Sequence, residues 1–424
     1  MTDASSPGIP PSRLSLLTAA YAVSSYGSYL NMVALSLFAF QLTGSGLQTG
    51  LFMALRLGSG IVAGVAAGTL ATRYPRRVLM IGSDLLSAGT ITTFALVPAT
   101  AQQVLLYALA VVLGVTQTQW GVAMRASVPD LVGPDRRTRA NSQLVTARSI
   151  AMLLGFASAG VLVAQWGFQR AFLIDAASYV LCALLLLRVP LGRAAEPRGR
   201  SGRTGPRAVG AVRGLSLVLL SMIAVRSADA FGSASHNVGL PIYSSTVWPE
   251  NPASYAATFM TAWAVGSLTA GGWLSWRGRR SGEPVRPELT FGIATCLMSV
   301  FFVLSFADPP LWLLVVLAGA AGAADGSAEI TYTARLQGVP DAMRARVLGF
   351  ASSAQNTGFG LGMVGCAALL EVFTPFAVVA TAHTAALAAA IFFLVVHART
   401  MLAGRRRTAP RPQTAEVARE LSDA

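Results

Sequence analysis

The chain has 424 residues, of which 54% are apolar and 12% are charged, about half the charged fraction of a typical soluble domain. This composition argues against a water-soluble protein. The formal net charge is +14, and every basic residue is arginine. The arginines lie in short groups between apolar runs rather than along one basic stripe, so nucleic acid is not an expected partner.

Apolar runs long enough to cross a bilayer recur along the whole chain and predict twelve helices. In the first half they cover residues 14–41, 47–71, 78–98, 104–124, 142–164 and 169–188. In the second half they cover residues 214–241, 255–276, 289–306, 311–334, 346–370 and 374–397. The sequence therefore predicts an all-α protein embedded in a lipid bilayer.

The arginine groups predict the orientation of these helices, because loops retained in the cytoplasm carry an excess of basic residues. The groups fall on alternate loops and comprise Arg73, Arg76, Arg77, Arg136, Arg137, Arg139, Arg277, Arg279, Arg280, Arg286, Arg344 and Arg346. We therefore expect a multi-pass protein of the inner (plasma) membrane with both termini in the cytoplasm.

A sequence repeat divides the chain into two halves. The spacing from Gly68 to the arginine pair at 76–77 recurs from Gly271 to the pair at 279–280, and Val-Pro-Asp occurs at both 128–130 and 339–341. The stretch between the halves is rich in Arg, Gly and Pro, as flexible linkers are. The expected division is a cytoplasmic tail 1–13, six-helix bundles 14–192 and 214–400, a cytoplasmic linker 193–213 and a disordered cytoplasmic tail 401–424.

Several short motifs resemble those of a known family. They are residues 41–45, Arg56, residues 128–132, residues 140–141, and residues 339–341 with 344–347. In these the chain resembles the major facilitator superfamily, and within it the branch of the enterobactin exporter and the macrolide efflux proteins. The resemblance implies twelve transmembrane helices in two pseudo-symmetric six-helix bundles. It also implies a secondary transporter that exports a small amphipathic drug, siderophore or natural product by alternating access.

The sequence departs from the family pattern at two places. Thr72 stands where the family has an aspartate, and Phe156 stands where its antiport motif has a proline. An importer or facilitator of the same fold, and a non-transporting receptor or scaffold, therefore remain alternatives to proton-coupled export.

Charged residues inside the predicted helices are the candidate functional groups, because an ion there costs about 2.5–3.5 kcal/mol and needs a cavity or a partner. Asp229 lies three residues after Arg226, and Glu329 lies four after Asp325, so each pair shares a helix face. Asp229, Asp325 and Glu329 are the predicted proton-coupling sites. Burial favours the neutral form of Asp229 while Arg226 favours its charged form, and the like charges of Asp325 and Glu329 favour proton binding by one of them. The alternatives are a permanent Arg226 ion pair and a Glu329 clasp with Arg335 or Arg344.

Two further groups are predicted from their positions. The substrate-cavity candidates are Arg56, Arg226, His236, Asn237, Tyr26 and Trp263, with Arg56 either binding an anionic group or pairing with a carboxylate. The gating and loop candidates are Arg73, Arg76, Arg77, Asp84, Arg344 and Arg346, with Asp84 expected to dock the arginines before it. His383, alone among alanines, is expected to be a packing residue.

The sequence carries no signature of an enzyme or a metalloprotein. The three cysteines lie in separate apolar runs without metal-type spacing, and there is no phosphate-binding loop, HExxH motif or nucleophile arrangement. We therefore expect no cofactor and no bound metal. The expected partners are a small-molecule substrate and protons, and the chain is expected to act as a monomer.

Overall fold

A computed structural model describes residues 11–132, 137–189, 216–281, 286–339 and 341–408. Eleven α-helices account for the regular structure of these residues. The first half contains α1 (Pro11–Thr43), α2 (Gly46–Arg73), α3 (Arg76–Leu96), α4 (Ala99–Val132) and α5 (Arg137–Leu187). The second half contains α6 (Leu217–Val247), α7 (Pro252–Ser281), α8 (Pro287–Ser305), α9 (Leu311–Gln337), α10 (Asp341–Leu369) and α11 (Pro375–Thr408).

Helix α5 contains two of the predicted helices, which is why the described residues form eleven elements rather than twelve. The helix is kinked at Gly167, whose φ of +76° and ψ of 170° lie outside the helical region. Glycine adopts a positive φ without the steric cost that a Cβ would add. The expected loop between 164 and 169 is thus reduced to a single residue, with arms 137–166 and 168–187 on either side.

Several helices extend beyond their predicted ends. Helix α4, predicted to end at residue 124, continues through Pro129 to Val132, and α6, predicted to end at residue 241, continues to Val247. Helix α10 begins at Asp341, so Arg344 and Arg346 lie within it and not in the loop before it. Helix α11 runs to Thr408, into the predicted tail. The linker 193–213 and most of both tails lie outside the described residues.

Seven of these helices are long and apolar enough to cross a membrane, within the described part of the chain. Helices α2, α7 and α10 carry several glycines each. Glycines at 358, 360 and 362 in α10 are an example. Such residues allow helices to approach closely within a bundle.

The helices pack in the same pattern in each half. In the first half α2 packs on α4, α3 packs on α4 and α5, and α1 packs on α5. In the second half α7 packs on α9, α8 packs on α9 and α11, and α6 packs on α10 and α11. The repeat in the sequence is thus matched by a repeat in the helix contacts.

The two halves meet mainly through α5 with α7 and through α2 with α10. Small residues make this contact close: a Cβ on Gly160 would lie 2.8 Å from the Cα of Ser254, and a Cβ on Gly50 would collide with Ala367. We call this end of the molecule, which also holds Glu371, the closed end. The opposite end, which holds Arg73, Arg76 and Arg77, is the open end.

The halves separate away from the closed end. Among the described residues, α4 contacts no helix of the second half and α9 contacts no helix of the first half. The resulting gap is the central cavity of the molecule.

Candidate functional site

The central cavity has a volume of about 640 Å³ and lies between the halves. Most of its lining is apolar, including Phe52, Leu57, Met260, Phe359 and Met363. The polar lining residues are Ser36, Arg56, Gln117, Thr118, Arg125, Asn237 and Asn356. An apolar pocket of this size with a few polar groups suits a small organic molecule.

An ionic cluster on the second half is centred on Arg226 of α6. Its Nη1 atom lies 2.6 Å from Asp229 Oδ2 and 3.2 Å from Asp325 Oδ1, and its Nη2 atom lies 2.8 Å from Glu329 Oε2. One guanidinium therefore contacts three carboxylates. If all four groups are ionised, the cluster carries a net charge of −2.

The three carboxylates differ in their access to solvent or substrate. The side chain of Asp229 is 2% exposed, that of Asp325 is 20% exposed and that of Glu329 is 50% exposed. Arg226, Asp229 and Asp325 line a side pocket of about 330 Å³, which we call the second-half arm. This arm shares Leu57, Asn237, Asn356 and Phe359 with the central cavity, so the two are continuous.

Glu329 pairs with Arg226 and not with Arg335. Its carboxylate contacts Arg226, and its Oε1 atom accepts a hydrogen bond from Thr333 Oγ1 at 3.1 Å. Arg335 instead pairs with Glu288 of α8 at 2.9 Å. The expected clasp between Glu329 and Arg335 is therefore wrong, because α8 supplies a nearer carboxylate. The side chain of Arg344 lies outside the described atoms.

Arg56 has a neutral partner. Its Nη2 atom donates to Gln117 Oε1 at 3.0 Å, and the Gln117 amide in turn donates to the hydroxyl of Tyr179 at 3.3 Å. Within the described residues no carboxylate lies within ion-pairing distance of Arg56. Glycines bring α2 and α4 together here, since a Cβ on Gly114 would collide with the Arg56 carbonyl.

A second side pocket, the first-half arm, opens beside Arg56 and has a volume of about 340 Å³. It shares Met32, Arg56, Gln117 and Arg125 with the central cavity. Its other polar and aromatic lining residues are Tyr21, Ser24, Ser25, Ser28, Tyr29, Ser83, Asp84, Ser87, Thr116, Trp120, Arg148 and Tyr179. The three pockets thus form one cavity that reaches into both halves.

A pair of buried histidines lies at the second-half arm, and His236, a predicted cavity residue, is part of its lining. His236 Nδ1 and His383 Nε2 are 3.2 Å apart, so α6 and α11 are joined by an imidazole contact. The Phe302 ring stacks on His236 with a centroid distance of 4.0 Å. His383 is therefore buried, as the sequence predicted, and it contacts a second histidine.

The other predicted cavity residues divide in two. Asn237 lines both the central cavity and the second-half arm, and Trp263 lines the second-half arm. Tyr26 does not line these pockets, because its hydroxyl group lies 3.0 Å from Ser158 Oγ and faces α5.

The predicted loop contacts also differ from the expectation. Asp84 accepts a hydrogen bond from Trp120 Nε1 at 3.1 Å and lines the first-half arm, so its expected docking of the loop arginines is wrong. Arg76 donates to the Ala126 carbonyl at 2.5 Å, and Arg77 donates to the Leu187 carbonyl. The Arg73 side chain is exposed.

Five polar residues of the central cavity were missed from the sequence. Ser36 lies on α1, Gln117, Thr118 and Arg125 lie on α4, and Asn356 lies on α10. The available signal was polarity within a run predicted to cross the membrane, because Thr116, Gln117 and Gln119 interrupt an otherwise apolar stretch.

Apolar helices around a cavity that holds buried ions define a membrane protein of the carrier type. The sequence profile of the Major Facilitator Superfamily matches residues 17–362, and the chain belongs to this family. It is therefore a membrane transporter and not an enzyme.

Comparison with individual proteins agrees with this assignment. YfiS, an MFS-type transporter of Bacillus subtilis (strain 168), is 29% identical over 178 residues, which span 42% of each chain and so less than half of that relative. The solved structure of PepTSo, a POT family transporter, has a TM-score of 0.72 at 11% identity and covers 92% of this chain and 98% of that one. The nucleoside transporter NupG has a TM-score of 0.69 at 15% identity, covering 90% and 98%. At these identities the two structures support the fold alone.

Proposed function

We propose that this chain is a proton-coupled exporter of a small amphipathic organic compound, such as a drug, a siderophore or a natural product. It crosses the inner (plasma) membrane twelve times, in two six-helix bundles of residues 14–192 and 214–400. The repeated packing pattern of the two halves and the kink that divides α5 support this arrangement. Resemblance to the enterobactin exporter and macrolide efflux branch supports the direction.

The observation that carries the proposal is the ionic cluster around Arg226 beside a continuous cavity. A net charge of −2 inside a membrane is costly, and each bound proton reduces the size of that negative charge by one. Asp229, Asp325 and Glu329 are therefore the proposed proton-coupling groups. Their differing exposure gives a route from the half-exposed Glu329 to the buried Asp229.

The proposed mechanism is rocking of one half against the other around the cavity. With both termini in the cytoplasm, the open end faces the cytoplasm and the structure is inward-facing. Substrate enters the cavity from this side. After the closed end opens outward, protons from outside bind the cluster as the substrate leaves. The chain acts as a monomer, with no cofactor, in this scheme.

The test is uptake of a compound panel into inside-out vesicles with and without an imposed proton gradient, because uptake in this geometry reports export. Vesicles that contain the wild-type protein should accumulate at least one amphipathic compound only when the gradient is present. Asp229→Asn should abolish the accumulation while the protein stays in the membrane, because it removes an ionisable group from the cluster.

Glu288→Gln is the matched control, since it removes a carboxylate that pairs with Arg335 away from the cavity. It should leave gradient-driven uptake unchanged. Transport that ignores the gradient would show a facilitator, and gradient-driven movement in the reverse direction would show an importer. A panel that is not moved at all, with no effect of Asp229→Asn, would overturn the transport proposal in favour of a receptor or scaffold.

A further inference from the structure

Three arginines converge on the first-half arm from three different helices. Arg56 comes from α2, Arg125 from α4 and Arg148 from α5, and all three line the same pocket of about 340 Å³. The convergence therefore arises from the packing of α2, α4 and α5.

Existing contacts leave these charges without a matching anion. Arg56 donates to Gln117 Oε1 at 3.0 Å, and Arg148 donates from Nε to the Tyr29 hydroxyl at 2.7 Å. Both acceptors are neutral. In the described part of the chain, no carboxylate lies within 4.0 Å of any of the three guanidinium groups.

The acidic residues nearby offset only part of this positive charge. Asp84 is the carboxylate in its lining and accepts a hydrogen bond from Trp120. Asp175 is fully buried behind the wall, where it contacts Ser178 and interacts electrostatically with Arg56 from beyond ion-pairing distance. Three cations therefore face the arm against one lining carboxylate.

The rest of the wall carries hydroxyl groups, which donate hydrogen bonds to an anion without adding charge. Ser24, Ser28, Tyr21 and Tyr179 provide them. On the opposite side of the same cavity, the cluster around Arg226 holds three carboxylates against one guanidinium. Whenever more than one of these carboxylates is ionised, an anion is attracted to the first-half arm and repelled from the second-half arm. The cavity is thus electrically polarised between the two halves.

We propose that the first-half arm is an anion-binding subsite that holds the carboxylate, or a similar monoanionic group, of an amphipathic substrate. The apolar body of that substrate lies in the central cavity, against residues such as Phe52 and Phe359. Arginine suits this role because its planar fork forms charge-assisted, bidentate bonds to carboxylates. This inference rests on the proposed transport function and names the chemical class of its substrate.

The test compares dansyl-glycine, which has a carboxylate, with dansyl-glycinamide, which is neutral and otherwise alike. Binding is followed by dansyl fluorescence on the full chain in nanodiscs of phosphatidylcholine, without any proton gradient. Charge-assisted hydrogen bonds predict that the carboxylate binds about tenfold more tightly than the amide, or better. Equal affinity of the two compounds would overturn the proposal.

Variants then locate the preference. Arg125→Gln and Arg148→Gln should each lower the affinity for dansyl-glycine and leave that for dansyl-glycinamide unchanged, which also shows that the variants are folded. Arg170→Gln is the control, because Arg170 is exposed and lines none of the three pockets. A preference that survives in both arm variants would contradict the assignment.

Anionic lipid head groups share the chemistry of the probe, so the measurement is repeated in nanodiscs that contain phosphatidylglycerol. Dansyl-glycine binding that persists in these nanodiscs supports a substrate subsite. Displacement of dansyl-glycine by phosphatidylglycerol overturns the substrate subsite. Because the assay measures binding at equilibrium, a carboxylate preference without gradient-driven export would refute the proton-coupling proposal alone. Gradient-driven export without the preference would refute the subsite alone.

Discussion

Arg226 contacts three carboxylates at once, those of Asp229, Asp325 and Glu329. Its removal leaves three carboxylates facing each other in a membrane-embedded site. Double replacement of Arg226 and Asp229 by neutral groups removes one charge of each sign from the buried part of the cluster. The charge balance of the cluster can therefore be tested by measuring stability as well as transport.

Arg226→Gln should destabilise the protein by about 3–5 kcal/mol, the usual cost of removing one partner from a buried ion pair. Thermal unfolding in detergent measures the effect. Adding Asp229→Asn to the same chain should recover part of the loss. Arg335→Gln breaks a more exposed ion pair and should lower the stability much less. Equal losses of stability in Arg226→Gln and Arg335→Gln would show that the cluster is not a stabilising unit.

The sequence predicted the members of this cluster but not that they contact one another. The spacing of three between Arg226 and Asp229 and of four between Asp325 and Glu329 places each pair on one helix face. Only the packing of α6 beside α9 brings both pairs to one guanidinium. The contact of His236 with His383 was unpredictable for the same reason, since 147 residues separate them.

At the level of helices, glycine lets α7 and α9 approach closely, because it places no side chain between the two backbones. A Cβ on Gly322 would collide with the carbonyl group of Trp263, whereas a Cβ on Gly272 would meet nothing within 4 Å. Trp263 also lines the second-half arm, so this helix contact shapes the cavity wall.

Gly322→Ala should therefore destabilise the protein by about 1–3 kcal/mol, because overpacking forces α7 and α9 apart. Gly272→Ala should be neutral or stabilising by about 0.4–1 kcal/mol, because alanine restricts the unfolded chain. Thermal unfolding of the two variants under one condition compares them. A Gly322→Ala protein as stable as Gly272→Ala would contradict the close approach of the helices.

The first turn of α2 is tied to the second half by a carboxylate. Glu371 Oε1 accepts hydrogen bonds from the Leu47 amide and from Ser45 Oγ, each at 2.7 Å. These bonds, with the Leu47 amide contributing most, lower the pKa of the Glu371 carboxyl. A carboxylate at a helix N-terminus is also favoured by the helix dipole.

This contact should weaken in acid. Because the pKa is lowered in the closed form, the contribution of the contact is complete above the ordinary glutamate pKa and is lost as pH falls through the lowered value. Hydrogen exchange of the peptide that contains Leu47, corrected for intrinsic rates, should show falling protection over that range. In Glu371→Gln the protection should become independent of pH there; unchanged pH dependence in this variant would assign the effect to another group.

The boundaries of the helices were harder to predict than their existence. Charge clusters and prolines were taken as ends, yet α4 and α6 continue through Pro129 and Pro241. A proline inside a helix removes one backbone hydrogen bond, to the carbonyl four residues before it, and that loss ends neither helix here. Hydropathy and proline positions alone therefore do not place the helix ends.

For the whole molecule, rocking requires the closed end to separate. Ser45 and Glu371 lie on opposite halves of this end, while Gln48 and Tyr107 lie on the same half and are joined by a 3.4 Å hydrogen bond. The two pairs therefore distinguish motion between the halves from motion within one half.

A short thiol-specific cross-linker between Ser45→Cys and Glu371→Cys should abolish transport until it is cleaved. The same reagent between Gln48→Cys and Tyr107→Cys should leave transport largely intact, because both residues move together. Both pairs are placed in a chain whose Cys182, Cys296 and Cys366 are replaced by serine, and vesicle uptake is measured before and after cleavage. Full transport by the chain linked between the halves would rule out opening of the closed end.

The kink at Gly167 has a mechanical consequence for this motion. The first arm of α5 contacts α7 of the other half, and the second arm follows after a single non-helical residue. In the proposed rocking motion, a displacement of the first arm at the interface therefore reaches the second arm through this one non-helical residue.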